Sequence, residues 1–340
     1  MKTILFTEAT NENIEAAAEI IRRGGLLGIP TETVYGLGAD ALNADACRRI
    51  YEAKGRPQDN PLIIHVPDST WLGRYCENVP ESAYCLADEF WPGPLTMILP
   101  KKDVVPYRTT GGLDTVGVRC PNHPVTLAVI RAAGVPIAAP SGNTSGRPSP
   151  TTAADMVEDM DGKIDGIFDG GACSVGVEST IIDLTCEPPR LLRAGGLPLE
   201  ELQRVLGTVL VDRCITQPVA DGEHPRAPGM KYRHYAPKAP VTVVTGDGEK
   251  SADYIARHAQ QGAGVICFSE YRALFPGRVI HDLGPEGDKS EQARRVFDAL
   301  REFDVTGVPE IYAQCPDDAG LGLAIGNRLK KAAGFHVVEV

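Results

Sequence analysis

Five cations within residues 1–207 stand beside Gly, Ser, Thr or Pro at the edges of short apolar runs. They are Lys54 and Arg56 in KGRPQDNPL (54–62), Arg119 in GVRCP (117–121), Arg147 in PSGNTSGRPSPT (140–151) and Arg193 in RAGG (193–196). Loops of this composition offer backbone N–H groups as well as positive side chains, a combination that suits a polyphosphate or a carboxylate. The planar arginine fork adds two-point recognition of an oxyanion, which lysine cannot supply. The pattern points to a small anionic ligand, a nucleotide, held without a Walker loop. No G-x-x-x-x-G-K-[ST] occurs, and GDKS (287–290) lacks the upstream glycine. GLGLAIG (320–326) is not the dinucleotide fingerprint, and no G-x-S-x-G elbow is present.

A second unusual stretch is RAPGMKYRHYAPK (226–238). It carries Arg226, Lys231, Arg233 and Lys238 and no acid, in a chain of formal net charge −11. Without its four positive charges the rest stands at −15. Its prolines and glycine break both helical and strand periodicity.

The elements that must position these groups alternate. NENIEAAAEIIRR (11–23) reads as an amphipathic helix stopped by Gly24-Gly25, and NADACRRIYEAKGRP (43–57) as a second ending near Gly55. PESAYCLADEFWPGP (80–94) reads as a helix broken by Pro92. LLGIP, PLIIHVP, LTMILP, TVGVR, PIAAPS, GIFDGG, STIIDL and RLLRAG read as strands, with PTETVYGLG (30–38) as a polar loop after the first. The expected fold is α/β. Residues 1–207 form a domain with a twisted mixed sheet and flanking helices. Residues 208–240 form a connector. Residues 241–340 form a smaller, Rossmann-like parallel α/β domain, because strand and helix patterns alternate regularly there.

Composition narrows the function class. The chain has 340 residues, 43% hydrophobic and 23% charged, ordinary for a globular protein. The acidic balance argues against a protein that grips nucleic acid through its overall field. No signal-peptide pattern opens the chain and no apolar run is long enough to span a bilayer, so a cytoplasmic protein without a membrane segment is expected. Nine scattered cysteines without a C-x-x-C pair suit reduced thiols, and the seven histidines show no metal-ligand spacing.

Taken in order, PTETVYGLG, KGRPQDNPL, VRCP, PSGNTSGRPSPT, GVESTIIDL and RAGG resemble the motif series of YrdC-like domains. With RAPGMKYRHYAPKAPV and a C-terminal unit holding GLGLAIGNRLKKAA, the whole chain is similar to the two-domain branch of that family, the threonylcarbamoyl-AMP synthases. The resemblance implies an ATP-dependent nucleotidyltransferase. L-threonine and bicarbonate or CO2 give a carbamate, which attacks ATP to form L-threonylcarbamoyl-AMP and pyrophosphate. The adenylate then feeds modification of the tRNA adenosine next to the anticodon through a separate threonylcarbamoyl-transferase complex. No direct, stable tRNA binding by this chain is therefore expected.

The resemblance also assigns residues. Arg119 takes the threonine carboxylate, and Thr33, His65, Ser179 and the backbone at Ala139 complete that pocket. Arg56, Asn60, Ser141, Ser149 and Arg193, with Thr115 nearby, match the ATP subsite. Lys54 and Arg56 are the expected catalytic cations. Mg2+ is expected to bridge the phosphates and to be held mainly by ATP and water. The connector is expected to act as a lid. Tyr232 approaches the nucleotide, Lys231, Arg233 and His234 add positive charge, and Pro228-Gly229 and Pro237 serve as hinges. Two other readings are an RNA-binding YrdC-like module and a related carbamoyl-transfer enzyme. Charge lodged in pocket loops counts against the first, and the lack of Cys-rich zinc motifs counts against the second. The C-terminal signature PDDAGLGLAIGNR has no mechanism at this level, and a separate ligand for that unit is a third possibility.

Overall fold

A computed structural model describes residues 2–217, 225–230 and 235–340. The expected lid residues Lys231, Tyr232, Arg233 and His234 lie outside the described residues. Sixteen strands occur among those described. Eleven belong to the first sheet: β1 (Ile4–Phe6), β2 (Leu27–Ile29), β3 (Gly36–Asp40), β4 (Ile63–His65), β5 (Leu95–Pro100), β6 (Thr115–Arg119), β7 (Ile137–Ala138), β8 (Gly166–Phe168), β9 (Thr180–Asp183), β10 (Arg190–Arg193) and β11 (Leu210–Val211). Their order is β1-β8-β2-β3-β7-β4-β6-β5-β9-β10-β11. Parallel pairs such as β4/β6 and β5/β9 mix with antiparallel pairs such as β5/β6 and β9/β10, as expected for a mixed sheet.

The second sheet holds β12 (Val241–Thr245), β13 (Gly264–Phe268), β14 (Val279–Gly284), β15 (Ile311–Gln314) and β16 (Val337–Glu339), in the order β14-β13-β15-β12-β16. Every pair in it is parallel. Its inner strand β13 (GVICF) is an unbroken apolar run, buried throughout, whereas the edge strands β14 and β16 are partly exposed. Each sheet has an apolar cluster of its own, around Leu27 and Phe168 in the first and Val244 and Val265 in the second, and a third cluster is shared. One apolar cluster runs from Tyr35 and Ile64 through Leu192 and Tyr235 to Phe297 and Leu329.

Local chemistry sets the elements that matter for the site. Asn43 caps the helix Ala44–Lys54, its Oδ1 accepting from the N–H groups of Asp45 and Ala46. Gly55, at φ 62°, ends that helix in the left-handed region. This turn buries Lys54 and carries the chain round to Arg56. Thr152 and Asp155 form a reciprocal capping box that starts the helix Ala153–Met160, directly after the PSGNTSGRPSPT loop.

Two local readings need correction. The segment 30–38 is not loop throughout, because its last three residues open β3, where Gly36 and Gly38 pair with Ile29 and Leu27. Glycine-rich composition hid a central strand whose neighbours leave little room for side chains: a Cβ at Gly38 would meet Ile137 Cγ2 at 2.9 Å. The helices Pro124–Ala133, Ala153–Met160 and Leu199–Leu206 are short, and the pattern along the chain does not single them out. The first begins with Pro at a position where its missing N–H costs nothing.

Candidate active site

A cavity opens over one face of the first sheet. Ile63 and His65 of β4, Arg119 of β6, Gly36 of β3, Ala139, Pro140 and Ser141 after β7, Glu178 and Ser179 before β9, and Arg193 of β10 line it. Arg56, Thr31 and Val34 reach in from loops, and Pro228, Gly229 and Tyr235 of the connector close one side. Arg56, Arg119 and Arg193 are 8%, 4% and 6% exposed. Three buried guanidiniums at one cavity concentrate positive charge where water cannot screen it. None points into bulk solvent.

Arg119 and His65 are paired in register across β4 and β6. Arg119 Nε donates to the Gly93 carbonyl at 3.3 Å, and its Nη2 lies 2.8 Å from Glu32 Oε2. That contact is an ion pair without hydrogen-bond directionality. Among the described residues Nη2 has no acceptor in bonding geometry, and Glu32 Oε1 has no donor. The arginine keeps bonding capacity for an incoming carboxylate. His65 Nδ1 lies 3.2 Å from the Ile137 carbonyl. A carbonyl only accepts, so the hydrogen sits on Nδ1 and Nε2 is left as an acceptor. Burial, and then Arg119, hold the imidazole neutral, with its pKa lowered to about 3.

Ser179 Oγ contacts Thr96 Oγ1 at 2.8 Å and accepts from Arg193 Nη2 at 3.0 Å. Arg193 Nε donates to the Ser179 carbonyl at 3.0 Å and Nη1 to the Pro228 carbonyl at 3.3 Å. The backbone N–H of Ala139 donates to the Ile63 carbonyl at 2.9 Å, so this part of the lining is fixed by the sheet. Thr33 is wholly buried beneath the lining. Thr31 Oγ1 donates to the Val34 carbonyl at 2.6 Å, so Thr33 Oγ1, 2.8 Å away, donates to Thr31. Thr31, and not Thr33, is the threonine in the cavity lining.

Arg56 is anchored by the carbonyls of Asn60 at 3.3 Å and Pro61 at 3.2 Å. Asn60 is buried behind it, and its Oδ1 has no hydrogen-bond partner among the described residues. Ser141 Oγ donates to Asn143 Oδ1 at 2.6 Å. Lys54 is enclosed rather than facing the cavity. Its Nζ donates to the Ser141 carbonyl at 2.5 Å and also to the Asn143 carbonyl, fastening the loop 140–151 from below. Burial, then Arg56, push its pKa well down. Ser149 also lies behind the lining, donating to Glu178 Oε1 at 2.7 Å. Thr115 shares the face of β6 that carries Arg119 but stands four residues back, roughly 13 Å at strand rise. It is outside the lining. Arg147, grouped by composition with the other cations, turns instead to Asp159 at 2.7 Å and Glu158 at 2.8 Å.

Several lining residues carry no signal in the sequence. Glu178 is the chief one. Its Oε2 accepts from Arg328 Nε at 2.6 Å, and Arg328 belongs to the helix Gly322–Ala332 beyond the second sheet. From the same helix Asn327 Nδ2 donates to the Ile215 carbonyl at 2.7 Å, and Lys331 Nζ donates to the Gly229 carbonyl. The C-terminal unit thus touches both the site and the connector. The motif GNRLKK was visible, but its targets lie more than 100 residues away. Among the described residues no group of three or more His, Cys, Asp or Glu is placed to hold a metal ion, and no helix is long and apolar enough to cross a membrane.

Comparison with known proteins agrees with this geometry. Residues 19–195 match the Sua5/YciO/YrdC family, described as "Telomere recombination", and residues 197–334 match "Threonylcarbamoyl-AMP synthase, C-terminal domain". The chain is 50% identical over 336 residues to the threonylcarbamoyl-AMP synthase of Pyrococcus abyssi, covering 96% of each chain. It is 45% identical to that of Bacillus subtilis, covering 97% of this chain and 96% of the relative. The crystal structure of P. abyssi Sua5 complexed with L-threonine superimposes with a TM-score of 0.92 at 48% identity, over the full length of both chains. The chain belongs to the threonylcarbamoyl-AMP synthase family, a family of transferases.

Proposed function

We propose that this chain is a nucleotidyltransferase that makes L-threonylcarbamoyl-AMP and pyrophosphate from L-threonine, bicarbonate or CO2, and ATP. The observation that carries the reading is the convergence of Arg56, Arg119 and Arg193, all buried, on one cavity. The neutral threonine amine adds to CO2 with loss of a proton, or to bicarbonate with loss of water, to give a carbamate. A carbamate oxygen then attacks the α-phosphorus of ATP. The bond from that phosphorus to the bridging oxygen breaks, and pyrophosphate leaves with the electron pair. No protein nucleophile is required. The protein contributes positioning and preorganised positive charge.

The open bonding capacity of Arg119 Nη2 supports its assignment to the threonine carboxylate. The Nε2 acceptor of neutral His65 suits the threonine hydroxyl or ammonium, not the carboxylate. Arg56 and Arg193 are assigned to the triphosphate, with Ser141 at its edge. Lys54 and Ser149 are assigned to holding the loop 140–151 and Glu178 behind it, and Asn60 to holding Arg56. Thr33 supports Thr31, and Ser179 links the two halves of the cavity. Thr115 keeps its assignment to ATP only if the nucleotide extends along β6.

Glu178 is bound to Arg328 and Ser149, and Glu32 to Arg119. The lining therefore does not fit a protein-held cation, and Mg2+ when present would be carried by the triphosphate. Residues 1–207 are taken as the catalytic domain, 208–240 as a lid and 241–340 as the Rossmann-like domain. A water-poor cavity protects the carbamate and the mixed anhydride. We propose, as the family resemblance implies, that the product passes to a separate tRNA threonylcarbamoyl-transferase complex in the cytoplasm.

The test is pyrophosphate release from ATP and bicarbonate with threonine, serine or valine. Threonine-dependent release is expected, with valine inactive because it lacks the hydroxyl. Release independent of the amino acid, or none with threonine, overturns the reading. A gel shift with tRNA at moderate salt is expected to be negative.

A further inference from the structure

We infer that Arg328 is a positioning residue for the reaction: by neutralising Glu178 from behind, it keeps the charge of Arg193 available to the nucleotide phosphates. The inference rests on the reading of the cavity as an ATP site.

The starting point is a carboxylate where an anion-binding cavity should have none. Glu178 lines the cavity, is 6% exposed, and sits two residues before β9. A buried carboxylate next to a triphosphate repels it strongly unless its charge is balanced. The balance comes from another part of the chain. Arg328 is wholly buried, and its Nε donates to Glu178 Oε2 at 2.6 Å. Its Nη2 donates to the Ala194 carbonyl at 2.9 Å, and its Nη1 donates to Asn327 Oδ1 at 2.8 Å. Its guanidinium lies 5.4 Å from the centre of the Tyr235 ring. Each of its three nitrogens donates to a protein partner, and the wholly buried side chain is not part of the cavity lining.

Arg193 is the opposite case. It bonds only the Ser179 carbonyl and hydroxyl and the Pro228 carbonyl, and has no carboxylate within 4 Å among the described residues. These partners are neutral, and the acid that acts most on its charge is Glu178. Glu178 and Arg193 belong to two motifs locked together, since the N–H of Gly196 donates to the Glu178 carbonyl at 2.9 Å. After Arg328, Arg193 is the cation that acts most on Glu178. Burial alone would raise the carboxyl's pKa, but Arg328 and then Arg193 hold it at about 2. With Arg328 gone, Glu178 keeps the Ser149 hydroxyl, but Arg193 becomes the chief cation acting on it, and the cavity loses that charge. This gives the GNRLKK signature of the last helix a task in the chemistry, in addition to bracing.

The test compares variants that break the same pair from opposite sides, with ATP affinity measured by calorimetry in the absence of threonine. Arg328→Gln is expected to weaken ATP binding at least tenfold, and Arg328→Lys to stay within about threefold of the unaltered protein. Glu178→Gln is expected to bind ATP as tightly as the unaltered protein or more tightly. The double variant Glu178→Gln with Arg328→Gln is expected to recover to within about threefold. A purely structural brace predicts instead that both single changes weaken binding alike and that the double is no better. That result overturns the inference, as does a double variant as weak as Arg328→Gln alone. Should Arg328→Gln fail to fold, the double variant carries no lone buried charge and still decides the question against Glu178→Gln. Absence of ATP binding in the unaltered protein sinks the reading of the site itself. Normal binding there without the opposed pattern sinks only the role of Arg328.

Discussion

His65 and Arg119 are register partners on the parallel strands β4 and β6, each the last residue of its strand and each lining the same cavity. A neutral acceptor thus stands beside a fixed cation, the arrangement needed to distinguish the two ends of an amino acid. Arg119→Lys keeps the charge but removes the planar fork. It is expected to raise the KM for threonine by about 100-fold, near 3 kcal/mol, while ATP affinity changes less than threefold. Initial rates with each substrate varied in turn would check this.

The same histidine makes stability pH-dependent. Its pKa is about 3 in the native protein and ordinarily near 6.5. The unfolded chain therefore takes up a proton as pH falls through 6.5 while the native state does not. The stabilisation is complete above that value and is lost towards pH 3. The denaturant midpoint is expected to fall between pH 7 and pH 5, and His65→Gln to flatten part of that slope. Glu178, held at about 2, adds its own loss only below about pH 4.5, so of the two only His65 acts between pH 6.5 and 4.5.

Gly195 sits where two motifs touch. A Cβ there would meet the Glu178 carbonyl oxygen at 2.3 Å and the Ser179 carbonyl carbon at 2.4 Å. Those atoms are backbone and cannot swing aside. Gly195→Ala is expected to cost several kcal/mol, on the scale of overpacking or more. Adenylate formation should fall with it, because Arg193 and Ser179 move apart. Thermal unfolding alongside pyrophosphate release would measure both.

A second arginine crosses between the two units. Arg301 of the helix Lys289–Thr306 donates to Asp159 Oδ2 at 2.5 Å and to the Pro148 carbonyl at 2.8 Å. Both charges are buried, so Arg301→Ala leaves Asp159 short of a partner and is expected to cost about 3–5 kcal/mol. Arg147→Ala, acting on the same aspartate from a more exposed position, should cost about 1 kcal/mol. Chemical denaturation of the two variants would rank them.

All nine cysteines are free, and only Cys85 is exposed. Burial pushes the thiols of Cys47, Cys76, Cys120, Cys214, Cys267 and Cys315 up to between about 11 and 12. A thiol reagent at neutral pH is expected to modify Cys85 rapidly in the native protein, the half-buried Cys186 more slowly, and the seven buried thiols only on unfolding. Mass spectrometry should locate the fast site at Cys85, and added reductant should leave stability unchanged.

Much of the site was legible as residue types. Arg56, Arg119 and Arg193 were recognisable only as members of a set, because one arginine in a Gly/Ser/Pro loop is ordinarily a surface charge while several at successive strand edges suit an anion. Composition could not separate them from Arg147 or Lys54, which carry the same local signature. Only packing showed that Arg147 answers Asp159 and that Lys54 fastens two loop carbonyls. Glu178 in GVEST was equally opaque, because a glutamate before a strand is ordinarily a solvated charge.

From its order of residues alone, this chain specified alternating α/β elements, a mixed sheet followed by a parallel one, and a series of anion-suited loops. These are local properties: apolar periodicity selects helix or strand, and Gly, Ser and Pro select the turns between them. Tertiary structure decided which charges meet. Arg328 and Glu178 are 150 residues apart. Their pairing depends on how the last helix docks against the loops before β9 and after β10, a matter of long-range packing that no spacing along the chain encodes. Coulomb energy in a buried site depends on distance and solvent exclusion, and both are created only when the two units close on each other.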